Sequence, residues 1–441
     1  MVRIILLLAL ALRIAAAFIW QGMIESDQQR FRFGDSETYW VLAEKIADGR
    51  PYEYASPNSR IFRTPLYPIF LAPATWLHGR TAILAARIAG AACGTLAVAM
   101  VIYAASSIAN RQAGLWAGVL AAIYPGAIGM SIFILSEAIF CPLCLLCLIT
   151  WFLASKEKSS IRWTVASGIA CGLACLARPS WFLWPGLLAL GAIAANWRMS
   201  GKRHSMDLGR YRTVWIRLAV FGVAMSLSMA PWWIRNYRIT GRFVPTTLQV
   251  GPSLYDGLHE GASGASDEGM AFSIPFEHEL HAEDAKLAQL RASNSNPAVA
   301  FQDSFEWRLN QRMLNAAIRW ANENRSDTLR LAMVKFVKMW SPWPTAKELG
   351  GVWIRIAESI VYVVIVSWAG CALFCVVRHR QSMILYASPT MYFAALHLIF
   401  TGSVRYRQPA ILVLCVVAGI GAAWMLDRIK ERNHRTPIGS Q

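Results

Sequence analysis

Ten apolar segments, most of them long enough to cross a bilayer, divide this 441-residue chain and leave it one class of fold. They cover roughly 4–24, 82–108, 113–130, 134–154, 163–177, 180–196, 216–233, 352–377, 383–401 and 409–426. About 20 apolar residues span the hydrocarbon core. Backbone in lipid must satisfy its own polar groups, so such segments fold as helices. Charged residues make up only 16% of the chain and mean hydropathy is +0.37, whereas soluble domains carry about 25% charge. Nineteen Trp, 13 Tyr and 19 Phe suit aromatic belts at two membrane faces. The chain therefore reads as an all-α polytopic membrane protein of about ten transmembrane helices.

The net charge of +17 would suggest nucleic acid in a soluble chain. Here Lys and Arg cluster between apolar segments, where they set topology and meet anionic lipid. No nucleic-acid partner is expected; membrane lipids are. Arg111, then Lys156, Lys158 and Arg162, then the run from Arg198 to Arg217, Arg378 and Arg380, and the tail from Arg428 to Arg435 all fall on one side of a ten-span chain. The positive-inside rule makes that side cytoplasmic, with both termini inside a cell inner (plasma) membrane. Arg13 interrupts the first apolar run, which favours an uncleaved helix over a signal peptide. Four regions follow: an N-terminal transmembrane module 1–233 with an external loop at 25–81, an external unit 234–351, C-terminal transmembrane helices 352–426, and a basic tail 427–441. The external unit opens Gly-rich and then turns helical from Pro297, with apolar spacing at Phe301, Phe305, Leu309 and Met313. Leu329, Met333, Phe336, Val337 and Trp340 share one face of a further helix. The unit reads as mostly helical and resting on the membrane.

All nine Cys lie inside apolar segments. Cys141, Cys144 and Cys147 fan around a helix and read as small hydrophobes, and no structural disulfide is expected. His278 and His281 with flanking Glu277 and Glu279 could hold zinc, but read better as a solvated helix surface. Nothing in the chain requires a cofactor; a divalent metal remains compatible with it.

The charges that bear on chemistry lie at external helix ends. Asp35 lies about ten residues beyond the first apolar segment in Gly34-Asp35-Ser36-Glu37-Thr38-Tyr39, near a helix start, and Asp there is a preferred cap. Arg60 and Arg63 precede Thr64-Pro65-Leu66-Tyr67-Pro68, which reads as an extended return to the membrane. Glu137 opens an apolar span, where a carboxylate is costly unless paired or functional. Arg178 precedes Pro179 at a helix break, Arg235 follows Pro231-Trp232-Trp233, and Arg405 and Arg407 sit in the last external loop. Such a ring of cations suits a phosphate held at the membrane surface. Within the spans, Arg13 and Arg87 should face the bundle interior, and Arg355 and Glu358 are spaced to pair on one face.

Asp35 with Tyr39, Ala43, Gly49 and Tyr52, then Arg63 through Pro68, resembles the first external loop of the GT-C membrane glycosyltransferases. More narrowly, it resembles the bacterial branch of the dolichyl-phosphate-mannose–protein mannosyltransferases, glycosyltransferase family 39, with the lipid A aminoarabinose transferase as a relative. The likeness extends to Ser136 through Phe140, Gly172-Leu173 to Arg178-Pro179, Pro231 through Tyr237, and Arg405 through Pro409. It implies a GT-C-like helical bundle that moves one sugar from a polyprenyl-phosphate donor to a lipid, glycan or protein acceptor on the external (periplasmic) face. It carries the catalytic role to Asp35 and a second acidic role to Glu137, with Glu37 as another assisting acid. Tyr39 and Tyr67 belong to the substrate loop. Arg63, Arg178, Arg235 and one or both of Arg405 and Arg407 are assigned to the donor phosphate. The chemistry agrees: an acceptor hydroxyl needs a base, and a phosphate leaving group needs charge stabilisation. The rival is a polytopic transporter or lipid flippase, which would place its charges inside the bilayer and is often built from repeats; no repeat is evident here. A membrane scaffold is the third alternative.

Overall fold

A computed structural model describes residues 1–54, 59–156, 161–201, 208–267, 269–293, 304–344 and 351–435; among these, secondary structure is helical throughout. The N-terminal part runs α1 (Val2–Ser26), α2 (Gly34–Ala47), α3 (Leu66–Thr75), α4 (Gly79–Ile108), α5 (Arg111–Ile123), α6 (Pro125–Ile132), α7 (Glu137–Lys156), α8 (Ile161–Ala177), α9 (Trp184–Gly201) and α10 (Leu208–Thr240). Between α10 and the last three helices lie α11 (Val250–Gly257), α12 (Ile274–Ser293), α13 (Phe305–Glu323) and α14 (Arg325–Trp340). The chain ends with α15 (Val352–Cys375), α16 (Arg380–Ile399) and α17 (Val404–Arg435). Each of the ten apolar segments coincides with one of these helices, or with the α5–α6 pair.

Among the described residues, seven helices are long and apolar enough to cross a membrane: α1, α4, α7, α10, α15, α16 and α17. The α5–α6 pair passes the same test together, bent by 60°. Pro125 opens α6 and Tyr124 before it is extended, so the helix breaks there. α8 and the following apolar helix are shorter. α8 nevertheless runs back along α7, and the salt bridge from Arg178 to Glu137 joins the far ends of the two.

The most enclosed span is α17, which packs mainly on α15, α5 and α16. Small residues allow this. A Cβ at Gly419 would sit 2.4 Å from the Ala113 carbonyl oxygen, and one at Gly168 of α8 would sit 2.4 Å from the Phe221 carbonyl oxygen of α10. Without a hydrophobic drive between helices in lipid, such close backbone approach supplies the packing energy.

Arg13 and Arg87 do face the interior, and the structure supplies their partners. Arg13 donates to the carbonyls of Ala9, Ala121 and Ala122 and to Ser131 Oγ, at 3.1 to 3.4 Å. Arg87 donates to Ile132 O at 2.5 Å and to Gln21 Oε1 at 2.9 Å. The two arginines thus satisfy carbonyls freed at the ends of α5 and α6. Glu358 does not take Arg355. Tyr124 Oη, the Gly126 amide and Gln408 Nε2 donate to it at 2.7 to 3.0 Å, tying α15 to the α5–α6 break.

The extended return after Arg60 is shorter than expected. Leu66 already begins α3, and Pro68 lies in its first turn, where a missing N–H costs nothing. The predicted helix around Leu329 to Trp340 is α14; Leu331, Lys335 and Met339 are its buried face, while Leu329, Met333, Phe336 and Val337 are exposed. Pro297 and Phe301, expected to open the preceding helix, lie outside the described residues; α13 begins at Phe305.

Candidate functional site

Five charged side chains from five separate places meet at one end of the bundle. Asp35 lies in the first turn of α2, Arg63 just before α3, Glu137 at the start of α7, Arg178 at the break after α8, and Arg405 in the first turn of α17. Arg405 is the hub: Nη2 is 2.8 Å from Asp35 Oδ2, and Nε donates to Glu137 Oε1 at 3.1 Å. Arg63 Nη2 meets the other Asp35 oxygen at 2.5 Å, and Arg178 Nη1 meets Glu137 Oε1 at 2.6 Å. Three guanidiniums thus face two carboxylates, leaving one positive charge in excess.

Local structure aims each group. Ile134 takes φ +57°, a costly conformation for a β-branched residue, and so turns the chain from α6 into α7. The carbonyls of that turn are held by Arg87 at Ile132 and by Ser36 Oγ at Phe133, 3.0 Å away. The Ser36 bond also ties the helix bearing Asp35 to the turn presenting Glu137. Arg178 stays near the bundle because Pro179 starts a short 3-10 turn whose Ser180 carbonyl accepts from Tyr392 at 2.5 Å. Arg405 lies over the rings of Phe33 and Tyr406, and Tyr406 stacks on His397 with centroids 4.4 Å apart.

The two acids are not equivalent. The Glu137 side chain is wholly buried, whereas Asp35 is 30% exposed. Glu137 serves as a fixed countercharge for Arg178 and Arg405; Asp35 is the acid a ligand can reach. The expected capping role of Asp35 is not present. Phe33 is the residue at the cap, no side-chain cap is made, and both Asp35 oxygens lie on arginine. Burial would push the Asp35 carboxyl up, but Arg63, Arg405 and, further off, Arg178 hold it well below the usual carboxylate range. A group depressed in this way adds stability above its ordinary value of about 4 and loses it as pH falls below that. The melting-temperature gap between wild type and Asp35→Asn should therefore stay constant from about pH 5 to 8 and shrink below about pH 4. A gap that appears only toward pH 8 would contradict the pairing.

The other sequence-derived residues fall in two groups. Tyr39 and Tyr67 pack edge to face at 5.0 Å beside the cluster, with Arg63 over the Tyr39 ring. Burial pushes both phenols up, so both stay protonated. Glu37, Arg235 and Arg407 are not brought to the cluster. Glu37 is exposed and lies 3.9 Å from Arg30. Arg235 Nη2 donates to the carbonyls of Tyr52 and Arg60 at 3.0 and 3.1 Å. Arg407 is wholly buried, with Nη1 donating to the carbonyls of Met339 and Ser341 at 3.0 and 2.5 Å. In this arrangement both Arg235 and Arg407 tie backbone carbonyls. Sequence reading passed over Ser36 as a tie, the His397–Tyr406 stack and Glu306, discussed below; none carries a local motif.

Among the described residues no three His, Cys, Asp or Glu side chains gather as a metal site. Asp35 turns both oxygens to arginine, whereas Glu137 turns one oxygen to Arg178 and Arg405 and accepts from Ser136 Oγ on the other. His281 packs on Phe305 with ring centroids 4.7 Å apart, and Glu279 and Glu283 lie against Arg312.

Residues 65–243 match the family model for dolichyl-phosphate-mannose-protein mannosyltransferase. The whole chain aligns with the Archaeoglobus fulgidus oligosaccharyltransferase in its apo form, with a TM-score of 0.59 and 15% identity, covering 100% of this chain and 52% of that one. The chain shares the fold of that oligosaccharyltransferase, and residues 65–243 resemble the mannosyltransferase family. The same archaeal protein tethered to an acceptor peptide containing the NVT sequon gives a TM-score of 0.54 at 13% identity, covering 91% of this chain and 46% of that one. ArnT from Cupriavidus metallidurans bound to undecaprenyl phosphate gives 0.40 at 14% identity, covering 97% and 81%. The chain spans about half the length of the archaeal structures it matches. No curated protein matches it in sequence.

Proposed function

We propose that this protein is a GT-C glycosyltransferase that moves a single sugar from a polyprenyl-phosphate donor to an acceptor hydroxyl or phosphate on the external, periplasmic face of the inner membrane. The observation that carries this reading is Arg405 shared between exposed Asp35 and buried Glu137, with Arg63 and Arg178 beside them. The matching family model is named for a dolichyl-phosphate-linked mannose donor, which has the same leaving group.

In the resting arrangement Asp35 is a weak base because two guanidiniums hold it. A donor phosphate competes for those guanidiniums, and charge-assisted pairing with arginine is strong and bidentate. As Arg405 and Arg63 turn to the phosphate, Asp35 recovers basicity beside the sugar. It then takes the acceptor proton while the acceptor oxygen attacks the anomeric carbon. The sugar–phosphate bond breaks with its electron pair going to the phosphate, whose charge Arg63, Arg178 and Arg405 stabilise. Donor binding thereby switches on the base. Arg235 and Arg407 support this site from outside it.

A radiolabelled polyprenyl-phosphate-sugar transfer assay in membranes, run over several donors and acceptors, tests the function. Label that stays on every lipid donor, with the protein folded, rejects it. Sidedness is tested separately. Reporters fused at Gly264 and Ser440 should report opposite sides of the membrane; the same side for both moves the site to the wrong face. The division into an N-terminal module 1–233, an external unit 234–351, C-terminal helices 352–426 and a basic tail 427–441 is part of the same proposal.

A further inference from the structure

The segment that delivers Arg63 has no regular structure of its own, yet it is held from both sides by charged side chains. Glu306, at the start of α13, accepts the Arg60 amide at 3.0 Å and the Ile61 amide at 3.0 Å. Arg235, near the outer end of α10, donates to the Arg60 carbonyl at 3.1 Å and the Tyr52 carbonyl at 3.0 Å. The same Arg235 lies over the rings of Tyr52 and Trp232, at 5.2 and 4.7 Å. Tyr52 Oη then donates to the carbonyls of Arg63 and Thr64 at 3.1 and 3.2 Å, and the Leu248 amide donates to Ile61 O at 3.1 Å. Residue 60 is thus gripped at its N–H by an acid and at its C=O by a base. Arg63 lies three residues further on, with its guanidinium on Asp35.

We propose that Glu306 and Arg235 form a two-sided clamp on residues 60–64, and that through it the external helical unit positions Arg63 for donor binding. Glu306 touches none of the clustered charges, so it is a positioning residue. The clamp stands on the hydrogen bonds alone; its effect on donor binding rests on Arg63 being a phosphate ligand, as proposed above. A carboxylate accepting two amides at once is well suited to this, because hydrogen bonds to a charged group are the stronger kind. Burial pushes the Glu306 carboxyl up to about 7, against the two amide bonds and the charges of Arg235 and Arg60 that face it. Two further cations lie near this helix start: Arg242 over the ring of Trp307, and Arg308, which pairs with Glu283 and Asp284. The clamp therefore loosens as pH falls through neutrality, since a protonated carboxyl is a poorer acceptor.

Hydrogen exchange on the full-length protein tests the clamp without reference to activity. Glu306→Ala should speed exchange of the peptide covering 59–66 by about tenfold or more, and Glu306→Gln by less. Glu283→Gln, which disturbs the Arg308 and Arg312 pairs on the same external unit, should leave that peptide unchanged. Unchanged exchange in Glu306→Ala overturns the clamp. With a polyprenyl-phosphate sugar as donor, Glu306→Ala should raise donor KM with kcat nearly kept. Wild-type donor KM should rise below about pH 7, and Glu306→Gln should flatten that rise. Faster exchange with an unchanged donor KM overturns the positioning role. A wild-type protein that transfers no sugar from such donors rejects the functional reading and leaves the exchange result standing.

Discussion

Asp35→Asn is expected to abolish sugar transfer while leaving the donor bound. A positioned base contributes about 10²–10⁴-fold in rate, so the loss corresponds to about 3–5 kcal/mol of transition-state stabilisation. Asn has the same size and is an equally good helix cap, and the structure already shows that Asp35 caps nothing. What Asn removes is the charge between Arg63 and Arg405. Both arginines then become more available to a phosphate, so donor affinity should hold or improve as kcat collapses. That opposite movement separates a lost base from a damaged site, in which both quantities would worsen. An Asp35→Asn enzyme with near-normal kcat, assayed with its true donor and acceptor, removes Asp35 from the mechanism.

Glu137→Gln is expected to act chiefly on the fold and through it on the rate. Glu137 is wholly buried and holds both Arg178 and Arg405. Breaking a buried ion pair from one side costs about 3–5 kcal/mol, because the remaining charge is left without compensation. Arg178 and Arg405 keep some exposure, at 10% and 17% of their side chains, so about 3 kcal/mol is the appropriate end of that range. Melting in detergent should show the loss. A cycle with Arg178→Gln should give a coupling of about 1–3 kcal/mol. Strictly additive losses in that cycle would mean that the two residues stabilise the bundle independently, and would return Glu137 to the list of catalytic acids.

The apolar layout was legible because hydropathy is a local property: every segment read as a span is a helix or the bent α5–α6 pair. Asp35, Arg63, Glu137, Arg178 and Arg405 were legible through their resemblance to a known reaction loop and its partners. The structure keeps Arg235 and Arg407 apart from that cluster, a difference hidden in the sequence, where arginines at helix ends look alike. Their surroundings differ because Arg235 meets loop carbonyls and Arg407 meets carbonyls at the end of α14. Glu358 illustrates the same limit. Spacing offered it Arg355, three residues away, but close packing delivered Tyr124, Gly126 and Gln408 from other helices.

The sequence by itself thus determined that this protein is a membrane-embedded helical bundle, where its helices break, and which charges sit at their ends. Each of those follows from the cost of placing a given residue in lipid, whatever its neighbours. The tertiary structure alone decided which charges meet. Arg405 reaches both Asp35 and Glu137, and Glu306 reaches a loop 246 residues away, because helix rotation and close approach bring these groups together. In a low-dielectric interior a difference of a few ångströms decides whether a cation serves a ligand, a carboxylate or a backbone carbonyl, and that distance is set by packing.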